Sequence, residues 1–521
     1  MTTSRRSFLQ KGAMFTGAAA AGTVFSPFLR TAQAGQSSNS VVFASGEPVT
    51  GNWDPSSHTV LGQINFEGYV FNRLTQTPMR PEDPSEIVFE LATSYKLIDQ
   101  DTLEYSLRQG IKFHNGAAFT AHDVKATFEY ASQPGKSAWY PGPVDVEVVD
   151  DFTVRLHTGN YGYPASAYIL LASFLPILSA ADVKDGDALS QVPNGTGAFK
   201  FVEQRGDESI LVANDDFFEG RPKLDEVRFA YMGDANTRVL ALLGGEADII
   251  ERLEPEQHDT FVNESSVKVK RTVSTENKYL HFRCNKAPFD DVRVRMAACN
   301  AIDRSIITEI MGAAGHASSS YVSPVKLGGG DIANYPVYDP ENCQRLLAEA
   351  GFPGGKGLPE LEYITSTGFY PKTKEYGEVI TALMQEQGFN VKLTVLETAV
   401  WAERIYQPES GDPAGHMVDV GWSTGSPEPD LVLRPMWHSS KSLITGIKDP
   451  DLDKALDAEQ AEGDTAKRLD LVANRLMPLM AEKVPSLSLF TSVLIHGINK
   501  NLDGGYFYAN GPIDLSKASY I

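Results

Sequence analysis

Cysteine is nearly absent from this 521-residue chain. Cys284, Cys299 and Cys343 are widely spaced and odd in number, which argues against a disulfide framework and a cysteine-built zinc site, and leaves buried, inert thiols as the expectation. The ten histidines do not cluster: no H-E-x-x-H and no paired Cys/His spacing occurs, so neither a protein-built metal site nor a cofactor is expected. Basic charge is short as well, with 46 Lys and Arg against 67 Asp and Glu and a formal charge of −21. Such a surface repels nucleic acid and anionic lipid, and no nucleic-acid partner is expected. No stretch beyond the first 35 residues reaches the roughly 20 apolar residues needed to span a bilayer, and there is no internal repeat and no long linker.

What is present is ample material for a core: 42% hydrophobic residues in a chain of this length can build two or three α/β units. The first 34 residues read separately. Ser4-Arg5-Arg6-Ser7-Phe8-Leu9, then Lys11, then a small-residue stretch through Phe25, then Thr31-Ala32-Gln33-Ala34, make a charged end, a modest apolar core and an A-x-A cleavage site. A transmembrane anchor is disfavoured, because the apolar stretch is short, diluted by Gly and Thr, and interrupted by Pro27. The segment resembles a twin-arginine export signal, with Gln10 where the consensus has lysine. That resemblance implies export of folded protein and cleavage after Ala34. With no cysteine nearby to carry a lipid, the mature chain is expected free in the periplasm.

From about 100 to 160 the pattern has period two: Leu103, Tyr105 and Leu107, then Val144, Val146 and Val148, then Val154 and Leu156, which predicts hairpins. Between them Thr120 with Asp123 opens a short helix that carries Val124, Phe128 and Ala131 on one face. Past about 290 the period changes. Asp339-Pro340 opens a helix closed by Gly351; Leu361 to Thr365 reads as a strand; a helix carries Ile380, Leu383 and Met384 up to Gly388; Val391, Leu393 and Val395 alternate. That is a βαβ unit on a parallel sheet. The sequence therefore divides into a β-rich first half and an α/β second half, joined near 273.

Several blocks, in order, carry a resemblance: Leu91-Ala92-Thr93-Ser94-Tyr95; Tyr105-Ser106-Leu107-Arg108-Gln109-Gly110-Ile111-Lys112-Phe113-His114-Asn115-Gly116; Phe119-Thr120-Ala121-His122-Asp123-Val124; Asn194-Gly195-Thr196-Gly197-Ala198-Phe199; Pro288-Phe289-Asp290-Asp291-Val292-Arg293-Val294-Arg295; and Ala301-Ile302-Asp303-Arg304. The chain resembles the peptide, nickel and oligopeptide class of importer solute-binding proteins, family 5. The resemblance implies a large two-lobed periplasmic-binding-protein fold of α/β class, type II-like. Lobe one would be 35–272, with an inserted β-rich subdomain near 76–190. Lobe two would be 273–484, and 485–521 would return to lobe one. It further implies a monomer that closes on a small solute and delivers it to the membrane permease and ATPase subunits of an ABC importer. The glycines of these blocks read as scaffold: Gly195-Thr196-Gly197 as a turn with unusual dihedrals, and Gly110 and Gly116 as strand ends.

In that family the passage Asp419-Val420-Gly421-Trp422-Ser423-Thr424-Gly425-Ser426 lines the cleft. Trp422 would pack on the ligand, and Ser423, Thr424, Gly425 and Ser426 would supply the polar loop. Short-peptide binders commonly place an aspartate where Gly425 stands, which puts a simple dipeptide role in doubt and brings the chain nearer the glutathione- and opine-binding branches. Sugar-phosphate and nickel-chelate ligands stay open. Arg434 either pairs a ligand carboxylate or phosphate or pairs Asp430 one helical turn away. Tyr370, Trp401 and the pair Trp139-Tyr140 are further cleft candidates, each with ordinary packing as the alternative. The rival class is a hydrolase: Gly421 to Gly425 also fits G-x-S-x-G, with Ser423 as nucleophile and His496 as base, although Pro427 and Pro429 interrupt the helix that such an elbow needs.

Overall fold

Alternation becomes hairpins where the chain can turn. Leu103, Tyr105 and Leu107 on strand Thr102–Leu107 are buried, as are Val146 on Asp145–Asp150 and Val154 and Leu156 on Thr153–His157. With Ala92–Asp99 they form an antiparallel sheet in the order Ala92–Asp99, Thr102–Leu107, Thr153–His157, Asp145–Asp150. Helix Ala121–Ala131 covers it. Thr120 caps that helix through its side chain, and Asp123 Oδ2 accepts from the Thr120 N–H at 2.8 Å. Val124, Phe128 and Ala131 pack inward, where a fully buried side chain such as Phe128 stabilises the fold by about 1.5–3 kcal/mol.

The computed structural model describes residues 39–49, 51–58, 61–133, 136, 144–185, 188–408 and 412–521. The export segment expected in residues 1–34 and the pair Trp139-Tyr140 lie outside them. No helix among the described residues is long and apolar enough to cross a membrane.

A second, larger sheet runs through the molecule in the order Val391–Glu397, Leu361–Thr367, Met417–Trp422, Val267–Phe282, Ser486–Asn499, Ile249–Ile250, Ser40–Ser45, Glu226–Tyr231, Glu208–Ala213, Phe199–Arg205. The expected βαβ unit is there: Leu361–Thr367 and Val391–Glu397 pair in parallel across helix Thr373–Glu386. Its helical neighbour Pro340–Glu349 starts on the Asp339 cap.

Two strands hold the wings together. Val267–Phe282 and Ser486–Asn499, of 16 and 14 residues, pair antiparallel from Val267 with Asn499 to His281 with Ser486. Register breaks between Val273 and Asn277. On one side of the break the pair joins Ile249–Ile250, and on the other it joins Met417–Trp422.

One expectation is corrected. Neither Gly195 nor Gly197 has a positive φ. A Cβ on Gly195 would lie 2.0 Å from Val70 O, and one on Gly197 would lie 2.4 Å from Tyr69 O. These glycines admit a neighbouring backbone rather than an unusual dihedral. Gly110 and Gly116 do take positive φ, at 78° and 90°. All three cysteines are free; Cys299 and Cys343 are buried, whereas Cys284 is half-buried, and burial pushes its thiol up to about 11.

Candidate functional site

Strand Met417–Trp422 carries the site because its inward residues fix it and its end is left free to turn. Val418 and Val420 are buried in the core. Asp419, also buried, accepts from Tyr376 Oη at 2.5 Å and lies 3.4 Å from Lys278 Nζ. The Lys278 ammonium sits 3.1 Å from the ring centroid of Tyr370, whose hydroxyl is 3.2 Å from both the N and the O of Gly421. Burial brings the Lys278 amine down to about 8, with Asp419 and Glu276 opposing the shift. Tyr370 meets Trp401 edge-on at 5.9 Å, and Phe369 lies 5.5 Å from the same indole. Glu276 packs on Gly421, where a Cβ would stand 2.7 Å from its carboxyl carbon, and it accepts from Ser492 Oγ at 2.6 Å.

The passage that follows is tied to several distant segments. The Trp422 indole N–H donates to Leu431 O at 3.3 Å, and its ring is half-buried. Ser423 Oγ lies 2.7 Å from Thr275 Oγ1 on the long strand. Thr424 accepts from the buried Lys326 ammonium, which also donates to Ser426 O at 2.5 Å. Ser426 Oγ donates to Leu170 O at 2.8 Å. Asn510 Nδ2 donates to Gly425 O at 3.4 Å, and a Cβ on Gly425 would lie 3.1 Å from Phe174. Phe174 thus occupies the space that a side chain at 425 would need. Burial takes the Lys326 amine down to about 7, Glu428 opposing. Glu428 is itself held by Arg468 through Nη2 to Oε2 at 2.7 Å.

Trp422, Ser423, Thr424, Gly425, Ser426, Tyr370 and Trp401 therefore gather around one strand end. Arg434 does not join them as a free cation. Its Nε donates to Asp430 at 2.8 Å, Nη1 to Asp457 at 3.0 Å and Nη2 to Leu456 O at 2.7 Å, so the pairing one helical turn away is the one the structure contains. The hydroxyl of Ser423 is engaged by Thr275, whereas His496 is buried against Phe507 at 4.9 Å. Sequence reasoning missed Lys326, Lys278, Glu276, Asn510 and Phe174. The signal for Lys326 was its company, Val325-Lys326-Leu327, in which apolar neighbours bracket a charge; Lys278 follows Asn277 and has apolar neighbours, Tyr279 and Leu280, on one side only.

A family model described as bacterial extracellular solute-binding proteins, family 5 Middle, matches residues 86–443. The chain belongs to this family. A curated member, Heme-binding protein A of Haemophilus influenzae, is 31% identical over 405 residues, covering 71% of this chain and 72% of that one. Glutathione-binding protein GsiB of Pectobacterium atrosepticum is 25% identical over 452 residues, covering 81% and 83%. Among solved structures, HbpA2 from Haemophilus parasuis superposes with a TM-score of 0.79 at 22% identity, covering 93% of this chain and 100% of that one. The family 5 chain thus has the two-lobed α/β periplasmic-binding-protein architecture, and it is a solute-binding protein of the kind that serves ABC importers.

Proposed function

We propose that the solute is a small peptide-like molecule with glutathione as its model, held where Trp422–Ser426 meets the rest of the chain. The observation that carries this reading is the set of partners of that passage: Thr275, Lys326, the neighbouring Leu170 and Phe174, and Asn510 come from four separate stretches of chain. A loop that touches so many elements changes its surroundings whenever those elements move, which is what a closing cleft requires. Lobe one is 35–272 with its β-rich subdomain near 76–190 and the returning 485–521; lobe two is 273–484. The register break at Val273/Asn277 supports a hinge there. Relatives named for glutathione and heme support a ligand larger than a dipeptide, and so does the filling of the Gly425 position by Phe174.

Binding energy shifts an open-to-closed equilibrium and no covalent bond changes. The closed monomer docks on the permease, whose ATPase drives import. The protein works in the periplasm after twin-arginine export and cleavage following Ala34. Against catalysis by Ser423 stands its hydroxyl partner, a threonine rather than an imidazole.

The test is a thermal-shift screen of purified mature protein, freed of endogenous ligand, against glutathione, di- to pentapeptides, opines, sugar phosphodiesters and nickel chelates. A ligand at 100 times its dissociation constant adds about 2.7 kcal/mol. Trp422→Ala is expected to weaken the responding ligand by about 2 kcal/mol, the scale of a buried aromatic anchor, with its own thermal transition intact. Response to an opine or sugar phosphate alone moves the ligand class. Silence throughout, with stoichiometric fluorophosphonate labelling of Ser423, overturns the reading in favour of a hydrolase.

A further inference from the structure

Apart from the strand end that carries Trp422, the described residues line a half-open cavity of about 570 Å³, within the 300–1,000 Å³ span of small-molecule sites. Three segments distant in sequence wall it: Pro78–Glu82, the Lys268–Val273 half of the long strand, and Asp503–Ala509 of the C-terminal return. Trp422–Ser426, Tyr370 and Trp401 are not among its lining residues. Part of its apolar wall is a small cluster of Met79, Val325 and Ala509, with Val273 packed both against it and against the largest core.

Its charged groups lean one way. Arg80, Lys268, Lys270 and Arg271 line it against Glu82 and Asp503, a local reversal of sign on a chain of net −21. Arg80 is poised rather than free: its Nη1 lies 2.9 Å from Glu86, its Nε donates to Tyr506 Oη at 3.2 Å, and its guanidinium stands 5.4 Å over the Tyr506 ring. Lys268 Nζ donates to Leu502 O at 2.7 Å, and Arg271 to Ala313 O at 2.9 Å. Lys270 is exposed and makes no ion pair with any described residue. An apolar wall under a cationic mouth suits a molecule with an apolar body and one acidic head, whose charge would find Lys270 unspent and Arg80 pre-oriented.

The wall formed by Lys268–Val273 ends at the register break of the long strand pair, two residues before Thr275, the partner of Ser423. Val325 precedes Lys326, which holds Thr424 and Ser426. An occupant pressing on Val273 and Val325 thus touches the supports of the solute loop from behind.

We propose that this cavity is a second small-molecule site, for an amphipathic organic anion, and that its occupancy is coupled to the order of the Trp422–Ser426 loop. The coupling clause rests on the solute-site reading above; the binding clause does not.

The probe is 8-anilinonaphthalene-1-sulfonate, titrated calorimetrically into the mature protein. One-site binding is expected, weakened roughly five- to tenfold by Lys270→Glu, an exposed change, and weakened as well by Val269→Trp, which puts an indole into the space the probe needs; thermal melts establish that both variants fold. Affinity indifferent to both cavity variants overturns the site. Hydrogen exchange then reads the coupling: saturating probe should change the protection of the backbone amides at 422–426 in the wild type, and in Lys270→Glu at the same concentration only in proportion to its lower occupancy. Binding without that change overturns the coupling and leaves the site standing, so failure here and failure of the solute reading are told apart.

Discussion

Lys326 places an ammonium where its neighbours Val325 and Leu327 are buried, and it is itself buried. Its two acceptors, Thr424 Oγ1 and Ser426 O, are neutral, and the nearest compensating charge, Glu428, is already committed to Arg468. Removing a charge from water for neutral partners is costly, and that cost is why its amine falls to about 7. The sign follows from linkage. The unfolded lysine titrates near 10.4, so between pH 7 and 10 the unfolded chain holds more protons and this residue's contribution to stability rises with pH; below pH 7 both states are protonated and the contribution is flat. Against Lys326→Met, the wild type should therefore gain about 2–3 kcal/mol between pH 7 and pH 9, at 1.36 kcal/mol per unit, measured by urea unfolding of both proteins at each pH. A pH-independent difference would show that the amine is not what titrates. What the protein obtains for this cost is a fixed geometry at Thr424 and Ser426, the loop that reads the solute.

At the scale of elements, the period-two strands and the capped helices were legible because each is a local statement. The alternation Leu103, Tyr105, Leu107 needs only its own backbone to declare a buried face, and Thr120 with Asp123 declares a helix start before any tertiary contact exists. The pairing of Val267–Phe282 with Ser486–Asn499 was not legible, since their partners lie more than 200 residues apart for most of the ladder and no period encodes which distant strand will arrive. Site residues divide the same way: Trp422 came from a family pattern and Tyr370 from its place at the end of the strand that starts at Leu361, whereas Lys326 and Glu276 were hidden because charged residues are ordinarily assigned to solvent. The glycines make the point experimentally. Gly116→Ala meets open space but keeps a left-handed φ of 90°, which costs about 1–2 kcal/mol. Gly195→Ala has no dihedral penalty, yet drives a methyl to 2.0 Å from Val70 O, while His114 N–H donates to Gly195 O at 2.8 Å. Backbone on both sides cannot yield as a side chain would, so its cost should exceed that of Gly116→Ala and reach the upper end of the roughly 1–3 kcal/mol of overpacking. Equilibrium unfolding of the two variants decides the order; the reverse order would return Gly195 to the turn reading.

For the whole molecule, the acid limb of stability is set by groups spread over the chain. His114, His281 and His496 are held neutral by burial, at about 4, about 3 and about 3, with Lys200, Arg283 and Lys270 respectively adding to the effect. Each is protonated in the unfolded chain near 6.5. Their folded values lie below the unfolded one, so their contribution is complete above pH 6.5 and is lost as pH falls toward 4. Buried carboxylates pull the other way: desolvation raises Glu67, Glu251 and Glu459, so the folded state takes up their protons first and gains stability as pH drops toward the unfolded value near 4.3. The two sets oppose each other between about pH 6.5 and 4.5, and a shallow profile is expected there. Toward about pH 3.5 the unfolded carboxylates are protonated as well and their gain levels off, while His281 and His496 are still taking up protons in the folded state, so stability should fall there. His281 isolates the effect, since its Nδ1 meets Ser486 Oγ at 2.8 Å and its ring lies between Tyr279 and Trp437. Relative to His281→Gln, the wild type should lose about 2 kcal/mol between pH 6.5 and pH 5, and unfolding of both proteins at half-unit pH steps checks it. A difference that stays constant through pH 5 would mean that the imidazole is solvated in the folded state, and that the core between the long strand pair and the Asp430–Trp437 helix opens far more readily than its packing implies.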